Sequence, residues 1–157
     1  MITIKITGAE QIEQKLATLP QKMAVRVLDK SARAGCNVVL HQARRNAKSL
    51  VRGSMGSLIA KYIKTGKPAR RYQPRHGVSM QVYISALGNP YFVDERSGKR
   101  AYIPFALEYG HAGPGDAGGA KVARPIGYLR KAWLSKRMDA LSTFTRTAKV
   151  ELPKVVL

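Results

Sequence analysis

Ile2, Ile4 and Ile6 alternate with Thr3, Lys5 and Thr7 and stop at Gly8, which is the period of a half-buried strand. Ile12, Leu16 and Leu19 then recur at helical spacing before Pro20, predicting a short amphipathic helix that the proline closes. A longer helix is predicted from about Gln21 to Lys48. Ala24, Leu28, Ala32, Gly35, Val39 and Ala43 form its stripe, small enough for close packing, while Arg33, Arg44 and Arg45 fall largely away from it. Glycines 53, 56, 66 and 77 with prolines 68 and 74 break the next stretch. They leave one apolar island, Leu58, Ile59, Tyr62 and Ile63, that suits either a turn or two of helix or a strand. Val78 to Leu87 puts Val78, Met80, Val82 and Ile84 on one face and reads as a strand ending at Gly88-Asn89-Pro90. Two further apolar runs, Tyr91 to Val93 and Tyr102 to Leu107, flank the turn-like Asp94 to Gly98 and suit a hairpin with a longer loop. Ile126, Leu129, Trp133, Ala140, Phe144 and Ala148 mark one face of a last helix. It is expected to take Pro125 into its first turn, to run to about Leu152 and to end at Pro153, with Trp133 as a core anchor.

These elements predict an α+β fold: a small mixed or antiparallel sheet against two or three helices, including the long second helix and the long C-terminal helix. With 157 residues and no internal repeat, a single domain spanning 1–157 is expected, large enough to need no disulfide or metal staple. Two flexible segments are expected in it, a basic loop at about 65–77 and a glycine-rich loop at about 110–122. The single cysteine, Cys36, has no internal partner and reads as a small buried apolar residue. The opening MITIKITGAEQ lacks the layout of a signal peptide, and no apolar run reaches the roughly 18 residues of a membrane span, so a soluble protein is expected.

Charge changes the picture most. The formal net charge is +19, and between Asp29 and Asp94 there is no acid at all against twelve lysines and arginines. Such a field favours nucleic acid, an anionic surface or an acidic protein partner. Within it, Lys64, Lys67, Arg70, Arg71 and Arg75 surround Tyr72, a mixture of cations and an aromatic found in phosphate-binding segments and equally in solvated loops.

Catalytic motifs are weak. Gly113-Pro-Gly115-Asp-Ala-Gly118 fits G-x-G-x-x-G literally, but a proline separates the first two glycines and the following helix is expected seven residues past the third. A dinucleotide turn requires that helix to open at the third glycine, so the match reads as accidental. His41, His76 and His111 have no metal-ligand spacing, and nothing sets a second acid beside Glu108 in a defined geometry. Neither a catalytic residue, a metal nor a cofactor is expected. Glu108, the one acid between Glu95 and Asp116, is expected either to pair with Arg124 or Arg130 or to lie on the surface, contributing at most about 1 kcal/mol.

Four fragments, in order, resemble the tailed-phage neck proteins, the head-tail connector and tail-completion family. Gly8, Ile12, Leu16 and Leu19 resemble that family's G-x-x-x-L-x-x-x-L opening. The run Ala43-Arg44-Arg45-Asn46-Ala47-Lys48, then Gly56-Ser57-Leu58-Ile59-Ala60-Lys61-Tyr62-Ile63, resembles A-R-x-x-A-P followed by T-G-x-L-x-x-S-I. Phe105-Ala106-Leu107-Glu108-Tyr109-Gly110-His111 resembles A-x-x-x-E-F-G-T, and Ala123-Arg124-Pro125 through Ala132 resembles A-R-P-F-L-R-P-A. Lys48 and His111 depart from the usual proline and threonine, and Gly127 and Tyr128 are extra in the last fragment. The resemblance implies a non-enzymatic virion protein at the neck or top of the tail, present in host cytoplasm during assembly. It implies a cyclic homo-oligomer, a hexamer in the simplest case, bound to connector and tail-tube proteins around a channel for non-specific DNA, with no membrane partner. Gly56, Leu58, Glu108, Tyr109, Gly110, Arg124, Pro125 and Trp133 would be its structural residues, and the basic loop would face DNA or an acidic neighbour. The reading that charge alone supports is a free nucleic-acid-binding protein.

Overall fold

The computed structural model describes residues 9–73, 78–85, 92–94, 101–112 and 122–156. The alternating segment 2–7 and the glycine motif at 113–118 lie outside them. The fold is α+β, predominantly helical. Helices α1 (Ala9–Ala17), α2 (Gln21–Leu50) and α3 (Ser54–Tyr62) lead into β1 (Ile63–Gly66), a 3-10 turn at Arg70–Tyr72 and β2 (Gln81–Ile84). Then come β3 (Val93–Asp94), β4 (Ala101–Tyr102), α4 (Ile103–Tyr109), β5 (His111–Ala112), β6 (Val122–Ala123), α5 (Tyr128–Glu151) and α6 (Pro153–Val156). The strands pair two by two, β1 with β2, β3 with β4 and β5 with β6, the last two pairs antiparallel.

The chain divides into two compact units, one of Met1–Val39, Thr65–Gln81 and Lys136–Leu157, the other of Leu40–Lys64 and Val82–Ser135. In the first, Ile12, Val27, Ala148 and Leu152 form a buried cluster against which Leu16, Leu19 and Val155 pack. Gly35 lets α2 approach α5 closely, since a Cβ there would stand 2.8 Å from the Ala140 carbonyl oxygen. Lys30 on α2 and Lys154 on α6 both reach Glu151, at 2.6 and 2.8 Å.

In the second unit, Ile59, Ile63, Phe92 and Tyr128 are fully buried, and the Phe92 ring meets Tyr62 and Tyr102 edge-on at 5.5 and 6.2 Å. The apolar island resolves into both alternatives at once: α3 carries Leu58, Ile59 and Tyr62, and the backbone turns extended at Ile63 to start β1. Gly56 is enclosed by the Ala47 and Val51 carbonyl oxygens, which a Cβ would meet at 2.5 and 2.6 Å. Only glycine lets α3 fold back onto the end of α2 this tightly.

The pattern misleads in four places. Ile103–Tyr109 is helix α4 rather than a strand; Pro104 falls in its first turn, where the missing N–H costs nothing, and Ala106, Leu107 and Glu108 continue it. Gly110 therefore turns the chain, at φ 85°, after a helix rather than a strand. Pro125 is exposed coil, and α5 starts at Tyr128 after Gly127, whose φ is 63°. Trp133 is 55% exposed: the buried face of α5 follows Tyr128, Ala132, Ala140 and Ala148, all on one i+4 series that Leu152 continues just past the helix, and Trp133 belongs to the neighbouring series one residue on.

Candidate functional site

Four of the five residues of the expected basic site fall among the described residues. Lys64 lies exposed on β1 in the second unit, whereas Lys67, Arg70 and Arg71 lie exposed in the first. Arg75 is outside the described residues. The segment through Gln73 makes several polar contacts. Pro68 is buried and its carbonyl accepts from Gln73 Nε2 at 2.8 Å, while Thr65 Oγ1 donates to Asn37 Oδ1 at 3.2 Å. Lys67 Nζ stands 3.0 Å from Asp29 Oδ1, too poorly aligned for a hydrogen bond but close enough for an ion pair. That lysine is thus already committed to an internal acid.

A second basic arrangement lies on the C-terminal part of α2, where a groove of about 370 Å³ is lined by His41, Arg44, Arg45 and Lys48. Arg44 Nε and Nη2 both donate to the Ile63 carbonyl, at 3.2 and 2.8 Å, which fixes the guanidinium against the start of β1. Arg45 Nη2 donates to Gln42 Oε1, Gln42 Nε2 to Asn46 Oδ1, and Asn46 Nδ2 to the Tyr128 carbonyl. Both guanidinium groups are therefore held by the fold. None of the four has an acidic partner among the described residues. Sequence reading noticed Arg44, Arg45 and Lys48 as charge and as part of a fragment, not as a site; the i, i+3, i+4, i+7 spacing with His41 was the available signal, but the tethering polar residues were not legible.

Glu108 has a different role from either expectation. It is 6% exposed, and its carboxylate accepts from the backbone N–H groups of Leu129 (Oε2, 2.9 Å) and Arg130 (Oε1, 2.8 Å) at the start of α5. The first turn of a helix presents unpaired N–H groups and the positive end of its dipole, so a carboxylate binds there without any arginine side chain. Tyr128, one of the two residues extra to the phage fragment, is fully buried, and its hydroxyl donates to the Pro104 carbonyl at 3.1 Å. Burial, with the Glu108 charge nearby, pushes its phenol far above the usual range. Gly127 and Tyr128 thus set the geometry that brings Glu108 to α5. Tyr109, in contrast, is 66% exposed and stacks obliquely on exposed Phe105, ring centroids 4.6 Å apart. Arg124 is exposed and Leu58 half-buried.

Among the described residues no group of three or more His, Cys, Asp or Glu side chains could hold a metal ion. Burial raises the Cys36 thiol pKa, which disfavours the reactive thiolate. No described helix is long and apolar enough to cross a membrane. No family model, curated protein or solved structure significantly matches the chain.

Proposed function

We propose that the chain is a non-enzymatic structural protein of a phage head–tail interface, joining or capping the tail as one subunit of a ring around a DNA channel. The order of the four fragments supports this reading. The observation that carries it is the exposed apolar surface of the second unit, within the third fragment and directly after the fourth. Phe105 and Tyr109 on α4 and Trp133 and Leu134 on α5 are each more than half exposed. A chain carrying 28 lysines and arginines has no shortage of polar groups to cover these positions, and aromatic groups left outside are typical of surfaces that meet another protein. A cyclic oligomer offers such a surface a partner in the next copy.

Sedimentation and negative-stain electron microscopy test this, on the purified chain alone and coexpressed with the products of neighbouring genes. A discrete ring, or incorporation into one, is expected. A chain that stays monomeric throughout and binds RNA with a steep salt dependence would instead be a free nucleic-acid-binding protein.

A further inference from the structure

We infer that the groove lined by His41, Arg44, Arg45 and Lys48 is a binding site for the phosphodiester backbone of duplex nucleic acid, read without regard to base sequence. The inference concerns the single subunit and stands whether or not the chain closes into a ring.

All four lining residues of the groove are basic. An interface with an acidic protein would need an apolar anchor among its charges, and the groove offers none; a sugar-phosphate backbone needs only cations and donors. Among the described residues no phenylalanine, tyrosine or tryptophan lines it, so the broad platforms on which unpaired bases stack best are missing, which favours a duplex over a single strand. Spacing agrees: His41 and Arg45, like Arg44 and Lys48, stand about 6 Å apart along the helix axis, forming two parallel rows of hydrogen-bond donors that contain three cations.

Preorganisation distinguishes this groove from the general positive field. Arg44 spends two donors on the Ile63 carbonyl and Arg45 one on Gln42, which leaves the remaining N–H groups of both guanidinium forks for phosphate oxygens. Side chains already held lose less freedom on binding than the exposed lysines elsewhere. The Ile63 carbonyl also ties the groove to the start of β1, one residue before the exposed Lys64.

The test is fluorescence anisotropy with a mixed-sequence DNA duplex over a range of salt, comparing the wild type with Arg45→Gln/Lys48→Gln and with Arg26→Gln/Arg33→Gln. The last pair removes two exposed cations from the N-terminal part of the same helix, so the net charge of the two variants is equal. All three proteins are first checked by circular dichroism for equal helicity. The groove variant is expected to bind about tenfold more weakly and to lower the salt slope by about 1.8, with no dependence on base sequence and little change in the Arg26/Arg33 variant. Equal weakening by both variants would overturn the proposal, because binding would then belong to the whole field. Groove-dependent binding that is tighter to poly-glutamate than to duplex would also overturn it, in favour of an acidic protein partner.

Discussion

The two ends of α5 are each held by a glutamate, and they are held by opposite means. At the N-terminal end Glu108 is buried and accepts two backbone N–H groups, so its negative charge meets the positive end of the helix dipole. At the C-terminal end Glu151 is itself the last residue of the helix, where a carboxylate is opposed by the dipole, and two lysines must offset it. One end relies on fixed backbone donors, the other on flexible ammonium groups. A buried carboxylate with backbone partners is costly to remove, whereas a solvent-screened cluster is not.

The largest expected effect follows from Glu108→Ala. It strands the Leu129 and Arg130 N–H groups where the carboxylate had excluded water, and it should cost roughly 3 kcal/mol in chemical denaturation. Glu108→Gln keeps one acceptor and should cost about half as much. An alanine variant of wild-type stability would mean that water satisfies this end of the helix as well as the carboxylate does. Next in size is Gly127→Ala. The nearest atoms to an added Cβ stand 3.9 Å away, so space is not the obstacle, and the cost should be the strain of a φ of 63°, about 1 kcal/mol.

The other end should respond to pH instead. Hydrogen bonds from Lys154 and then Lys30 lower the Glu151 carboxyl from its ordinary 4.5 to about 2. A folded-state pKa below the unfolded one gives stability that is present in full above about 4.5 and fades as the pH falls towards 2. Glu151→Gln should therefore be less stable than the wild type at pH 6 and converge with it near pH 2, as denaturation midpoints over that range will show. A constant gap between the two proteins would mean that the lysines contribute nothing to the charged form.

This contrast also marks how far the sequence could be read. The long helices were legible because small and apolar residues recur along α2 and α5 at helical spacing, and Pro20 and Pro153 close elements where expected. Gly56 was visible as part of a fragment, though the two carbonyls that demand glycine come from α2 and are a tertiary fact. The role of Glu108 was hidden for a deeper reason: its partners are backbone amides 21 and 22 residues away, and amides have no sequence signature. Helix α4 was misread because Tyr102 to Leu107 is apolar enough for a strand, and Pro104 acts in favour of helix only once it falls in the first turn. The basic groove escaped notice because what orders it is the Ile63 carbonyl for Arg44 and, for Arg45, a relay through Gln42 and Asn46, residues that look like ordinary helix surface.

The smallest effect is expected between the two ends of α5, at Trp133. Helical spacing made it a core anchor, for which truncation to alanine would cost roughly 3 to 5 kcal/mol. At 55% exposure the indole has little transfer free energy to lose, and Trp133→Ala should change stability by no more than about 0.5 kcal/mol. Because it is the only tryptophan, its fluorescence reports this position alone. Arg130 and Arg137 on α5, both exposed, lie three residues before it and four after, so iodide should be concentrated near the ring and caesium repelled. Strong iodide quenching with weak caesium quenching, both abolished by Trp133→Ala without loss of fold, is the outcome that an exposed indole requires. A loss of several kcal/mol, or an indole that iodide cannot reach, would return Trp133 to the core and leave α5 with a different buried face from the one described.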